Sequence, residues 1–123
     1  MAHSYHHALS SAKKFGGKPE DYLSIHNFFD ESKSYFPDFR HRALRHHAEG
    51  IFMAERIFGV TITNSNGKKV PVRLIGEQHL REDFNGFIPT LNDWLKCITK
   101  IEPWMMRGGK LDHPEVLKEE TQL

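Results

Sequence analysis

Residues 38–58 contain the longest helical pattern in the chain. Asp38 can help to start a helix there, no Gly or Pro intervenes before Gly50, and Gly59 can end it. Within it, the run HRALRHHAEG at 41–50 carries three histidines and two arginines. A helix of this length needs one face on which other segments pack. The fold therefore depends on which of these side chains turn inward.

A helical wheel at about 100° per residue separates the charged and apolar side chains of this pattern. The solvated face holds Asp38, Arg42, Arg45, Glu49 and Arg56. The apolar arc holds Phe36, Phe39, Ala43, Leu44, Ile51, Ala54, Ile57 and Phe58. His47 falls inside this arc and His46 falls at its edge. Because adjacent helix residues diverge by about 100°, we expect one of these histidines to bind a metal and the other to pack or support it.

Helical spacing and alternation divide the rest of the chain into short elements. Further helices are predicted at residues 3–15, 18–34, 76–84 and 91–101. Alternating residues at 60–63 and 69–74, joined by a turn that contains Asn66-Gly67, predict a β-hairpin. Pro71 makes its second strand short or places it at an edge. We expect a mostly α, α+β fold, a helical bundle-like single domain with one inserted hairpin at 1–102, and an arm or tail at 103–123.

Composition limits the environment and the partners of the chain. With 123 residues, the chain is long enough for one domain with its own core. Its net charge of +1 argues against binding to nucleic acid or to a membrane surface through charge alone. There is no long apolar run that could span a membrane. The one cysteine, Cys97, cannot form an internal disulfide, so a cytoplasmic location fits best.

The nine histidines need an explanation beyond a solvated surface. His26 borders the apolar face of the second predicted helix, with Asp30 one turn further on. His79 has Asp83 one turn further on, so each pair can be two ligands or a histidine oriented by a carboxylate. His7 lies off the apolar stripe of the first helix, where it is free to face a second surface.

We therefore expect histidines from separate helices, with a carboxylate, to converge on one metal ion. The first choices as ligands are His26, His47 and His79, and the second choices are His46, Asp30 and His7. Zn²⁺ suits imidazole best, whereas Fe²⁺ or Mn²⁺ would suit a mixed imidazole and carboxylate shell. The alternative is that these are core histidines, bonded to Asp, Tyr and backbone groups.

Standard catalytic motifs are absent from the sequence. It contains no His-Glu-x-x-His, no His-Asp dipeptide, no Glu-x-x-His and no phosphate-binding glycine loop. If the protein is an enzyme, metal-assisted hydrolysis fits best, with Asp30, Glu77 or Asp83 as the base. The competing hypothesis is a non-enzymatic accessory protein of a phage or bacterium that binds a host protein or a small ligand, with structural histidines.

Two further groups could form interaction surfaces. A basic surface for phosphate or an acidic partner could be formed by Arg40, Arg42, Arg45 and Arg56 with Lys13 and Lys14. The alternative is a solvated face balanced by Asp38, Glu49 and Glu55. Trp104, with the two methionines that follow it, could pack on the core of its own domain or on a second copy of the chain. A homo-oligomer formed through the C-terminal arm is one outcome of the second arrangement.

Several runs resemble a family of short bacterial and phage proteins that is classed as a domain of unknown function. The similar runs are YHHALSSAKKFGGKPEDYLSIHNFFDESK, DFRHRALRHHAEGIF, ITNSNGKKVPVRLIGEQHLREDF and IPTLNDWL. The resemblance covers roughly residues 5 to 104. It implies a free-standing single-domain protein, such as phage or mobile-element cargo, and it supplies no activity, substrate or ligand set.

Overall fold

The computed structural model describes residues 3–108. The α-helices of this range are α1 (Ser4–Phe15), α2 (Glu20–Asp30), α3 (Arg42–Arg45), α4 (Ala48–Phe58), α5 (Val72–Asp83) and α6 (Leu91–Leu95). Strands β1 (Thr61–Thr63) and β2 (Lys69–Pro71) form an antiparallel hairpin in which Ile62 pairs with Val70. Short 3₁₀ turns occur at Glu31–Ser34, Phe39–His41 and Pro103–Met106. The predicted mostly α, α+β fold is confirmed.

The apolar core lies between α1, α2, α4 and α5. Its buried residues are Ala8, Tyr22, Ile25, Phe28, Phe29, Ile51, Ala54, Val70, Val72, Ile75 and Leu80. The largest of these side chains come from the predicted apolar stripe of the second helix, which consists of Tyr22, Ile25, Phe29 and Phe36 with Phe28 beside it. The buried part of this stripe ends before Phe36, which is half-exposed because α2 stops at Asp30.

The predicted inward face of α1 is wrong in part. The sequence places Tyr5, Ala8, Leu9, Ala12 and Phe15 on one apolar stripe at helical spacing, but Tyr5 and Leu9 are exposed. Ala8 of this stripe is buried as predicted, and the other buried positions of α1 are Ser4, His7 and Ser11. Helical spacing still applies, but α1 turns a mostly polar face inward because the groups that it meets on α2 and α5 are polar. His7 is therefore buried, although it lies off the apolar stripe of the sequence pattern.

The single helix predicted at 38–58 is also wrong. The 3₁₀ turn at Phe39–His41 leads into the four residues of α3, and the chain then breaks at His46 and His47. His46 has φ −84° and ψ 68°, and His47 is extended with φ −159° and ψ 169°. His47 begins α4 as its N-cap, with Nδ1 accepting the Gly50 N–H at 2.9 Å. A histidine in this role is hard to foresee, because Ser, Thr, Asp and Asn are the usual caps.

Two other boundaries differ from the sequence pattern. The second strand ends at Pro71, and α5 begins at Val72, where the alternating pattern had extended to residue 74. The last predicted helix ends at Leu95 instead of residue 101.

Residues 109–123 of the predicted C-terminal arm lie outside the described residues. Of the part that is described, Trp104 and Met105 are exposed. The domain boundary at 102 and the contact with a second copy stay predictions. None of the helices within residues 3–108 has both the length and the apolar character needed to cross a bilayer.

Candidate metal centre

Four donor atoms converge in the interior, and we call Asp30, His46, His79 and Asp83 the His–Asp cluster. One ligand atom from each of these residues lies within 4.8 Å of all the others. His46 Nε2 is 3.0 Å from Asp83 Oδ2 and 3.4 Å from Asp30 Oδ1. His79 Nε2 is 3.3 Å from the same two oxygens. The donor atoms of two imidazoles and two carboxylates thus lie close enough together to bind one metal ion.

Three segments position these side chains. Asp30 is the last residue of α2, and Ser4 of α1 holds its other oxygen, Oδ2, with a hydrogen bond of 2.9 Å. His79 and Asp83 lie four residues apart on α5, so both face the same side of that helix. His46 comes from the break between α3 and α4. The cluster therefore joins elements that are distant in sequence.

The break that presents His46 depends on Gly50. A Cβ built at this position would lie 1.8 Å from the carbonyl oxygen of Arg45. Only glycine allows the end of α3 to approach the first turn of α4 so closely. The Trp94 indole holds the same break from outside, since its Nε1–H donates to the His46 carbonyl at 3.0 Å.

His47, a first choice as a ligand, lies apart from the cluster. Its Nδ1 accepts the Gly50 N–H, and its Nε2 is 3.1 Å from the Leu44 carbonyl oxygen, to which it donates. Both ring nitrogens are therefore engaged with backbone groups. Burial also lowers the pKa of His47, in agreement with a neutral side chain that stabilises the turn.

His26, which was also a first choice as a ligand, lies beside the cluster but offers it no ligand atom. Its Nδ1 is 2.9 Å from His79 Nδ1, and its Nε2 is 2.7 Å from Ser11 Oγ. Burial, followed by the nearby His79 and His7, lowers the pKa of His26 to about 2. His26 is thus a neutral neighbour of a candidate ligand.

His7 lies on the α1 side of the cluster. Its ring stacks on that of His79 with 3.9 Å between centroids, and its Nε2 is 3.3 Å from Asp83 Oδ1. Its Nδ1 is 2.7 Å from Glu82 Oε1. Burial opposes a charge on His7, but hydrogen bonds to Asp83 and Glu82 outweigh burial and raise its pKa.

Both carboxylates of the cluster are held in their charged form. Burial by itself would raise the pKa of Asp30, but hydrogen bonds from His46 and His79 outweigh it and hold that pKa well below its usual range. The pKa of Asp83 is lowered in the same way, with a further contribution from His7. Their side chains are only 6% and 2% exposed. Two buried negative charges of this kind need positive charge close by.

Arginine supplies only part of this charge. Arg42 turns inward, with Nη2 4.0 Å from Asp83 Oδ1. Arg40 pairs with Asp38, and Arg45 binds Glu31 and the Phe28 carbonyl oxygen. The three arginines therefore point to different partners and do not form one common basic surface.

Sequence reasoning named three of the four cluster residues as ligands. Asp83 was not among the chosen ligands, although His79 and Asp83 were considered as two ligands from one helix, as a histidine oriented by a carboxylate, or, for Asp83, as a base. The four-residue spacing between His79 and Asp83 was the available signal, and an acidic residue near the end of a helix resembles an ordinary solvated one.

A family model described as a domain of unknown function, DUF6915, matches residues 2–105, so the chain belongs to this family. No curated protein matches the chain, and no solved structure does.

Proposed function

We propose that this member of the DUF6915 family binds one divalent transition-metal ion through Asp30, His46, His79 and Asp83. The observation that carries the proposal is the convergence of two imidazole nitrogens and two buried carboxylate oxygens within 4.8 Å of one another. Such a set has the composition of a mixed nitrogen and oxygen metal shell.

Charge balance supports a cation at this place. Two buried carboxylates carry two negative charges, and a divalent ion would neutralise them without further groups. Without a metal, the same charges rely on protons shared with His46 and His79, on His7 with its Nε2 3.3 Å from Asp83 Oδ1, and on Arg42 at 4.0 Å. A direct bond to a cation stabilises a buried carboxylate more than a partial contact of this length does.

Zn²⁺ is the ion that we favour, with Fe²⁺ and Mn²⁺ as the alternatives. Imidazole and carboxylate ligands suit all three ions. A thiolate ligand does not influence which metal ion is preferred, because Cys97 is exposed and lies outside the cluster.

The arrangement favours a metal that stabilises the fold. Four protein side chains and deep burial are typical of structural zinc sites, whereas catalytic sites keep a position open for water. In this interpretation, the metal ties α2, the α3–α4 break and α5 together. The protein is then a non-enzymatic factor whose histidines hold its shape.

Metal-dependent hydrolysis is the second candidate, and one observation favours it. A surface depression of about 270 Å³ is lined by Asp30 together with His3, Ser4, Asn27, Glu31 and Lys33. Asp30 thus reaches from the cluster to solvent, and a water molecule could approach a metal from that side. A bound metal would lower the pKa of such a water to near neutrality.

Two adjacent histidines provide a matched test of the metal site. The protein is purified without a His-tag, stripped with a chelator, and offered Zn²⁺, Fe²⁺ or Mn²⁺ before metal analysis. We expect one ion per chain in the wild type and in His47→Asn, because Asn keeps the N-cap of α4. His46→Asn should bind no metal ion, because it removes a ligand of the cluster. Wild-type protein that takes up no ion would refute the proposal, as would metal binding that survives in His46→Asn.

A water-exchange measurement separates the two candidate roles. Proton relaxation of solvent water around the Mn²⁺-loaded protein detects a water molecule on the metal. We expect no exchanging water in the closed structural site. Detection of one would move the conclusion to the hydrolytic candidate.

A further inference from the structure

We infer that Gln78, Ser11 and His26 form a hydrogen-bond relay that orients His79 for metal binding. The inference rests on the proposed metal site and assigns a role to His26, which is buried but supplies no ligand atom. In this relay, His26 is a positioning residue. It determines which nitrogen of His79 carries the proton.

The direction of the relay is set at Gln78. Its Nε2 donates to the His7 carbonyl at 3.0 Å and to Glu82 Oε1 at 3.1 Å. Both partners are acceptors, so the amide nitrogen must face them and Oε1 must face α1. Ser11 Oγ lies 2.5 Å from that oxygen and donates to it.

Ser11 therefore accepts a hydrogen bond from His26. The single hydroxyl proton of Ser11 points to Gln78 Oε1, or else to the His7 carbonyl at 3.1 Å. In either case the lone pair of Oγ faces His26 Nε2 at 2.7 Å. His26 Nε2 must then carry the proton of that contact.

His26 has one proton to give. Its ring is fully buried, and no carboxylate of residues 3–108 forms an ion pair with it. A buried imidazolium without a counter-ion would be costly. Neutral His26 with a proton on Nε2 has a lone pair on Nδ1, which accepts from His79 Nδ1 at 2.9 Å.

The proton on Nδ1 of His79 leaves a lone pair on Nε2. This lone pair faces Asp30 Oδ1 and Asp83 Oδ2, each 3.3 Å away. Each of these contacts needs a proton or a cation between the nitrogen and the oxygen, and a metal ion on Nε2 would satisfy both carboxylates at once. A histidine whose outer N–H is held by a hydrogen bond is the usual arrangement of a metal ligand. The relay thus prepares His79 for a metal ion.

Two pairs of variants test the relay. Gln at position 26 offers an oxygen toward His79 and an amide N–H toward Ser11, so His26→Gln can preserve the relay, whereas His26→Leu removes it. Ser11→Ala lets His26 move its proton to Nδ1, which would force the wrong tautomer on His79. Ser10→Ala on the same helix is the matched control, because Ser10 contacts Glu82 and not His26.

The measurements are Zn²⁺ affinity by chelator competition and long-range ¹H–¹⁵N NMR of the histidine rings. We expect a loss in affinity of about 10- to 100-fold in Ser11→Ala and His26→Leu, and little change in His26→Gln and Ser10→Ala. In the Zn²⁺-loaded wild type, His26 should be protonated at Nε2 and His79 at Nδ1.

The outcomes separate the two proposals. Wild-type protein that binds no metal refutes the metal site and the relay with it. If the wild type binds Zn²⁺ but His26 is protonated at Nδ1, the relay alone is refuted. The same holds if Ser11→Ala binds Zn²⁺ as tightly as Ser10→Ala. Circular dichroism of each variant shows whether it is folded, and if His26→Leu is not, Ser11→Ala and the ring tautomers decide.

Discussion

Replacing Gly50 with Ala should destabilise the protein, although helix propensity alone predicts the opposite. Gly50 lies in the first turn of α4, where Ala would be favoured over Gly by about 1 kcal/mol in an ordinary helix. Here the added Cβ would lie 1.8 Å from the Arg45 carbonyl oxygen. This atom belongs to the backbone, so α3 itself must move.

The structure indicates the size of the effect. Moving α3 away weakens the cap that His47 forms on Gly50, which is worth about 1 kcal/mol. It also disturbs the bonds of His46 with Asp83 and of Trp94 with the His46 carbonyl, each worth about 1 kcal/mol. Steric overlap that remains after α3 has moved adds to these losses, and the higher helix propensity of Ala offsets part of them. We expect the free energy of unfolding to fall by about 2 to 3 kcal/mol.

Urea unfolding at neutral pH, with and without chelator, measures this effect. Gly76→Ala in α5 is the control, since its Cβ would lie 3.1 Å from Ile51 and 3.2 Å from Phe29 side-chain atoms, which need to shift by only a few tenths of an ångström. We expect Gly50→Ala to lose more stability than Gly76→Ala, and to lose metal affinity because His46 is displaced. A variant as stable as the wild type would refute the role given to Gly50.

Three further outcomes follow from the site and the core. Zn²⁺ at 100 times its dissociation constant should stabilise the wild type by about 2.7 kcal/mol; scanning calorimetry should show a Tm increase that is absent in His46→Asn. In metal-free protein, the free energy of unfolding should fall as the pH drops from about 6.5 toward 4. The reason is that burial, together with the nearby His46, lowers the pKa of His41 to about 4. The unfolded chain binds a proton in this window that the folded protein does not, so urea midpoints in His41→Gln should depend less on pH; an equal dependence would contradict this assignment. Ile75→Ala, at a fully buried position, should lose about 2 to 5 kcal/mol in urea unfolding, and a loss below 1 kcal/mol would contradict its place in the core.

Fold class could be predicted because the apolar pattern of α2 and the Asn-Gly turn are local signals. Tyr22, Ile25 and Phe29 recur at helical spacing and are buried as expected. In the hairpin, Asn64 Oδ1 accepts the N–H groups of Asn66 and Lys68, and Gly67 adopts a φ of 79° that favours glycine. Neither feature needs information from a distant part of the chain.

The polar interior could be predicted less well, because it depends on contacts between segments. The pattern of α1 places Leu9 inward if apolar residues are assumed to be buried. In the structure, Ser11 and His7 are buried instead, because Gln78, Glu82 and His26 provide their partners. No local signal in α1 reveals these partners, which come from residues up to 75 positions away.

The break at His46 and His47 illustrates both limits. The helical wheel correctly predicted that both histidines face inward, since both are buried. The wheel derived their directions from the angles of one continuous helix. In the structure, their directions result from the break between α3 and α4. Which of the two reaches the cluster is decided by His47 capping α4 and by the close approach at Gly50.

Removal of a bound metal should loosen α3 before it loosens α4. No residue of α3 is buried, whereas α4 contributes Ile51 and Ala54 to the apolar core. Polar contacts hold α3 in place, mainly those of Arg42 and Arg45 and the bond of His46 to Asp83. A metal on His46 would reinforce the end of this short helix, and chelation would leave only the weaker contacts.

Hydrogen exchange of the wild type measures this difference directly. With Zn²⁺ bound, the Arg45 and His46 amides should be protected, since His46 N–H donates to the Arg42 carbonyl at 2.8 Å. After chelation, we expect these amides to exchange at least tenfold faster, while the amides of α4 around Ala54 change little. Equal acceleration in both helices would mean that the cluster supports the whole fold and not the α3–α4 break, because only apolar packing distinguishes the two helices.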